Sequence, residues 1–237
     1  MQYTALRNGQ KVLVTYRYED FAECPTSTWD HTMPIIGCWH RRYNLGHSDG
    51  QSRIKELVRE ARAYSPDWEE KQFSTPSAGC YDNRHFLDLD DWSGLAAAAI
   101  KAGCIVLRVF LYDHSGLAVS LSNKHYPFNC PWDSGVVGIM VWSREQREAF
   151  HGKPILRDTK RRRERDTRIM ESLFSEWACY LSGEVYEISV TDPQTQEILE
   201  CCGGFHGWDY AQGDALRDFQ IDPSTLNPLE AWQNRIN

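Results

Sequence analysis

The sequence predicts an α+β fold, with helices packed on an antiparallel or mixed central sheet. Three observations carry this. Strand-type stretches outnumber helical ones and are joined mainly by short hairpin turns. The stretch Cys104–Trp142 holds three of the best strands and the densest set of reactive side chains. A long amphipathic helix follows it. Its stripe of Ile169, Met170, Leu173, Phe174, Trp177, Ala178 and Leu181 fits the helical period.

In chain order, Lys11–Tyr18 (KVLVTYRY) reads as a strand rich in β-branched and aromatic residues. Phe21–Asp30 reads as loop. Ile35–Trp39 is a short apolar strand leading into His40-Arg41-Arg42-Tyr43-Asn44-Leu45-Gly46. Arg53–Tyr64 places Ile54, Leu57, Val58 and Ala61 at helical spacing, and Ser65-Pro66 stops it. Residues 66–91 are polar and irregular, the expected place for a mobile insertion. Asp91 or Ser93 is placed to cap a helix over Leu95–Ala102, which Gly103 ends.

Cys104–Tyr112 then reads as a largely buried strand. Asp113-His114-Ser115-Gly116 punctuates it with turn formers. Leu117–Ser122 alternates Leu117, Val119 and Leu121 with small and polar residues, so the two strands form a hairpin. A loop from Asn123 to Gly135 precedes a third strand, Val136–Trp142. Ser143 caps a short helix, Arg144–Phe150, broken by Gly152 and Pro154. Asp158 or Thr159 caps the long helix, which runs to Ser182 and closes at Gly183. Glu184–Thr191 and Glu197–Cys202 pair around the turn Asp192–Thr195, and Gly203-Gly204 ends the second strand. Residues 205–237 read as an irregular C-terminal wrap with a short helix near Asp214–Phe219. No strong boundary interrupts the chain, so a single domain over residues 1–237 is expected.

With 41% hydrophobic and 12% aromatic residues the core can be sizeable. A net charge of −7 excludes a generally basic nucleic-acid binder and leaves room for a local patch. No apolar run approaches the roughly 18 residues that a membrane span needs. The N-terminus MQYTALRNGQK lacks an apolar signal core. An intracellular protein with reduced thiols is the expectation for its eight scattered cysteines.

Four constellations carry candidate chemistry. Asp113, His114, Ser115, Cys130 and Asp133 have the residue types of a thiol hydrolase: Cys130 as nucleophile, His114 as base, Asp113 or Asp133 as orienter. The same residues are good turn chemistry, because Asp and Ser bond nearby backbone. A second set, His31, Cys38, His40, His47, His114, His125, Cys130, Cys201, Cys202 and His206, offers metal-ligand types. It holds no CxxC or HxxxH pair, so no metal or other cofactor is expected. The third is His40-Arg41-Arg42-Tyr43-Asn44: Arg41 and Arg42 supply forks for phosphate or carboxylate, and Tyr43 can stack on a base or ring; the protein's own carboxylates compete for the arginines. The fourth is Lys160-Arg161-Arg162-Arg163 with Arg165 and Arg168. Positive charge there opposes the helix dipole, at about 0.3–1 kcal/mol per charge, so Glu164, Asp166 and Asp158 or an anionic partner must offset it. No P-loop, dinucleotide fingerprint or HExxH motif is present.

Trp29-Asp30 precedes Trp39-x-Arg41 at the same spacing as Trp132-Asp133 precedes Trp142-x-Arg144. Chance and a duplicated loop-plus-strand unit both explain this echo.

Three motifs carry a resemblance. Trp29–Gly46, ending in CWHRRYNLG, YDHSG at Tyr112–Gly116 and PFNCPWDSGVVG at Pro127–Gly138 look like a family of uncharacterised phage and prophage proteins. That family carries WDNLG…HRRYNLGD, YDHSG and a PFSCPWDSGQVG-like loop. The resemblance covers most of residues 25–205. The chain departs at His31-Thr32-Met33, where the family has Asn-Leu-Gly, and at Val136-Val137, where it has Gln-Val. The resemblance implies a viral setting and supplies no mechanism.

The leading expectation is therefore a phage-encoded accessory protein of the host cytoplasm. It binds a host or phage protein, to block a defence or redirect a host enzyme, and no membrane. Trp29, Asp30, His40, Arg41, Arg42, Tyr43, Tyr126, Trp132, Arg161, Arg162 and Arg163 are its candidate contacts, since Trp, Tyr and Arg anchor interfaces. Two alternatives stay open. One is a hydrolase or nucleotide-processing enzyme using Asp113, His114, Cys130 and Asp133. The other is a nucleic-acid binder using Arg41, Arg42, Tyr43 and the 160–168 run.

Overall fold

A computed structural model describes residues 1–40, 42–63, 89–114, 116–122, 126–130 and 132–229, with residues 60–63 and 89–93 as backbone only. The elements are β1 (Gln2–Arg7), β2 (Gln10–Tyr18), α1 (Pro25–Thr28), β3 (Ile35–Cys38), α2 (Gly50–Ala63), α3 (Leu89–Lys101), β4 (Ile105–Asp113), β5 (Leu117–Ser122) and β6 (Ser134–Trp142). Then come α4 (Arg144–His151), α5 (Lys160–Ser182), β7 (Val185–Thr191), β8 (Ile198–His206), α6 (Trp208–Gln212), α7 (Asp214–Asp218), a single 3-10 turn and β9 (Asn227–Pro228). The α+β expectation holds. The strands, however, form two antiparallel sheets rather than one central sheet.

The chain divides into two compact units, Met1–Cys24 with Cys179–Asn237, and Pro25–Ala178. The first unit holds a five-stranded sheet in the order β8-β7-β2-β1-β9. Its first hairpin turns on Asn8-Gly9, with φ of 50° and 81°, as a two-residue loop whose twist matches the strands demands. Val14, Tyr16, Ile188 and Val190 face a core closed by Ala211, Ala215, Leu216 and Phe219. The C-terminal segment holds the short helix expected near Asp214–Phe219 as α7, with α6 before it, and both close this core. β8 also passes through Gly203 and Gly204 instead of ending there. The backbone N–H of Gly204 donates to the Glu19 carboxylate.

The second unit holds the four-stranded sheet β3-β6-β4-β5. β6 is buried along its whole length. α2 and α3 contribute Ile54, Val58, Ala98 and Ala99 to a core shared with Ile35, Phe110, Ile139 and Val141. β3 comes so close that a Cβ on Gly138 would lie 2.1 Å from the carbonyl oxygen of Gly37. α4 starts as expected at Ser143, which forms a full capping box with Gln146. α2 and α3 begin earlier than expected, at Gly50 and Leu89. Most of the 66–91 stretch lies outside the described residues.

Candidate functional site

β4 and β6 are antiparallel neighbours, so the end of one lies beside the start of the other: Tyr112 pairs with Ser134. The N–H of Asp113 donates to the carbonyl of Asp133 at 2.8 Å. The turn after β4 and the loop before β6 therefore meet at one end of the sheet, where sequence placed the candidate site.

Asp133 is its centre. His114 Nδ1 lies 3.1 Å from Asp133 Oδ2. The Cys130 thiol donates to the same oxygen at 3.6 Å. No hydrogen bond joins His114 directly to Cys130 among the described residues. The carboxylate thus stands between thiol and imidazole, where a nucleophile–base pair needs thiol facing imidazole. Ser134, fully buried, bonds the Cys130 carbonyl and lies 2.5 Å from the Tyr126 hydroxyl. The Tyr126 ring meets Phe110 edge-on at 5.4 Å, which ties the loop to the core. Tyr112 stacks with Phe128 at 5.6 Å and with His114 at 6.0 Å. Trp132, by contrast, is 82% exposed.

The segment after β3 reaches the same end of the sheet. The Tyr43 hydroxyl donates to Asp113 Oδ2 at 3.1 Å. The His40 ring lies parallel to Tyr43, 4.9 Å away. His40 Nδ1 accepts the backbone N–H groups of Arg42 and Tyr43. Burial lowers the pKa of His40, and the hydrogen bond to Asp113 raises that of Tyr43, so both stay neutral at pH 7. Arg42 is exposed. Arg41, Ser115 and His125 lie outside the described residues. Nothing in the sequence pattern announces the Tyr43–Asp113 bond, which joins residues from different strands' ends.

The remaining candidates fall into separate places. Asp30 accepts from the backbone and hydroxyl of Thr32 at 2.7 and 2.6 Å, and Trp29 tilts against His47. The first Trp-Asp pair thus pins its own turn, whereas Asp133 reaches other segments. Burial pushes the Cys38 thiol up to about 12. Among the described residues no group of three or more His, Cys, Asp or Glu is arranged to hold a metal ion.

Of the basic run, Arg163 is spent internally. Its guanidinium donates to Asp158 at 2.7 Å and to the carbonyls of Gly103 and Cys104 at 3.1 and 2.7 Å, just after α3. Arg147, which the sequence does not mark, and Asp166 are both fully buried. Arg147 forks onto Asp158, with both bonds at 2.9 Å, and reaches Asp166 at 3.2 Å. His151 Nε2 lies 2.9 Å from Asp166. Bonds from Arg147, and then Arg163, hold the Asp158 carboxyl at about 2, below its ordinary range. Arg147 sits in the polar stretch REQREAFH, which gives no hint of burial. Comparison with protein families, with curated proteins and with solved structures finds no match to this chain.

Proposed function

We propose that this protein is a binding protein whose recognition surface centres on Trp132. One observation carries the reading: an indole that is 82% exposed stands on a loop tied down by hydrogen bonds to the buried Ser134. A large rigid side chain on a pre-ordered loop loses little entropy on docking and offers much contact area. His114 and Asp133, with side chains 62% and 39% exposed, supply a polar rim beside it. The partner this suits is a protein with an apolar pocket for the indole. The motif resemblance described above suggests a phage accessory role in the host cytoplasm, against a host or viral protein. Among the described residues no helix is long and apolar enough to cross a membrane.

The bond from Cys130 to Asp133 favours this reading over a thiol hydrolase. The Asp133 carboxylate takes the place beside the thiol that a base would need, and no hydrogen bond joins the thiol to His114 among the described residues. The test compares tagged wild-type protein, Trp132→Ala and Cys130→Ser in capture from host lysate. Trp132→Ala should keep its melting temperature and lose the captured partner at least tenfold. Cys130→Ser should retain it. Equal capture by wild type and Trp132→Ala refutes the proposal.

A further inference from the structure

We infer that the exposed arginine face at the start of α5 binds the phosphodiester backbone of nucleic acid, without regard to base sequence. From Lys153 to Arg168 the chain carries eight basic and three acidic residues, against a net charge of −7 for the whole. The fold removes two of the three carboxylates from that surface. Asp166 is fully buried on Arg147 and His151, and Asp158 is held by Arg147 and Arg163. Glu164 alone stays on the exposed face, 3.9 Å from Lys160.

Arg161, Arg162 and Arg168 have no carboxylate partner among the described residues, and Arg165, its side chain 53% exposed, touches Asp166 at 3.5 Å and His151 Nε2 at 3.2 Å through one guanidinium nitrogen. These four, with Thr159 and Glu164, line an open groove of about 810 Å³. The described residues that line it are all charged or hydroxyl-bearing, with no hydrophobic residue type among them. A protein partner needs an apolar centre to its interface, whereas a backbone contact to nucleic acid needs none.

The spacing also fits a strand of phosphates. Arg161, Arg165 and Arg168 share one helix face at intervals of four and three residues. At 1.5 Å per residue they extend over about 10 Å of axis. A nucleic-acid strand carries one charge per about 3.4 Å, so the face spans about three phosphates. Arginine's planar fork matches a phosphate's paired oxygens better than lysine's point charge does. The first turn of α5 is where the helix dipole opposes cations, so a bound anion relieves the repulsion that folding imposes there. Lys153 and Arg157, both exposed, extend the basic surface along the chain.

The test uses the full chain and fluorescent single- and double-stranded oligonucleotides of unrelated sequence, with anisotropy read between about 50 and 200 mM salt. Wild type should bind all of them with similar affinity. Arg161→Ala/Arg165→Ala/Arg168→Ala should weaken binding at least tenfold and flatten the log–log salt slope by about two to three. These side chains are exposed or partly so, and an unchanged melting temperature confirms that the variant folds. Trp132→Ala should bind nucleic acid as wild type does, which separates this site from the protein-binding surface. No binding at the lowest salt, a slope unchanged in the triple variant, or equal affinity for poly-glutamate each overturns the inference.

Discussion

Acidification from pH 7 to 4 should weaken the unit Pro25–Ala178 through one buried imidazole, His47. The side chain is almost wholly inside, at 8% exposure. Its Nδ1 accepts the backbone N–H of Ile36 at 3.1 Å, a bond that only a ring unprotonated at Nδ1 can make. The backbone N–H of His47 donates back to the Ile36 carbonyl at 3.1 Å, so the residue pins β3 to the turn before α2. Burial, and after it the charge of Arg53, pulls its pKa down to about 4. The unfolded chain takes up the proton near the ordinary value of about 6.5. A folded pKa below the unfolded one means that stability is full above about pH 6.5 and drains as pH falls to about 4. At 1.36 kcal/mol per unit the loss is about 2 kcal/mol by pH 5 and about 3 kcal/mol by pH 4. His40 shifts in the same direction and adds to the slope.

Urea unfolding at pH 7, 6, 5 and 4 should show this for wild type. His47→Gln, whose amide oxygen can still accept from Ile36, should be flatter over that range by about 2 kcal/mol at pH 5. The His47 ring protons should titrate near pH 4 by NMR. Identical pH slopes in the two proteins, or a ring titrating near 6.5, would refute the reasoning.

Other expectations follow from single contacts. Arg147→Met should cost about 3–5 kcal/mol, because it strands the fully buried Asp166; adding Asp166→Asn should recover part of the loss, and no recovery counts against a charge penalty. Asp158, with its pKa lowered to about 2, contributes stability that is complete above its ordinary value and lost as pH falls toward 2. Asp158→Asn should therefore blunt the acid limb below pH 4 and leave the His47 limb intact, as separate unfolding curves will show. Gly138→Ala places a methyl group 2.1 Å from the Gly37 oxygen and should cost at least about 1–3 kcal/mol in denaturant unfolding; an unchanged midpoint argues against the tight β3–β6 approach.

Local pattern made much of this fold legible. The hairpin of β4 and β5, the cap at Ser143 and the α5 stripe follow from residue periodicity and chemistry within a few positions. The division into two sheets did not show, because it depends on pairings such as Thr15 with Ser189 that no local signal encodes. β1 carries mixed signals. Asn8-Gly9 demands a tight hairpin, yet Gln2–Arg7 lacks a clean alternation. His114, Cys130 and Asp133 meet because β4 and β6 pair antiparallel, a pairing that no local signal in the sequence encodes. Which atom faces which was beyond the sequence, and it changes the chemistry: Asp133, not His114, is the shared partner. The arginines of α5 look alike in sequence. Only the carbonyls of Gly103 and Cys104, set by the end of α3, single out Arg163 as structural.

The most direct measurement is site-specific photo-crosslinking in host cells. A benzophenone-bearing phenylalanine replaces His114, whose side chain is 62% exposed beside Trp132, in one protein and Leu156, which is 89% exposed, in a control. A recognition surface centred on Trp132 predicts one discrete protein adduct at position 114, lost on Trp132→Ala and absent at position 156. The same adducts from both positions, none at position 114, or an adduct that survives Trp132→Ala would contradict it.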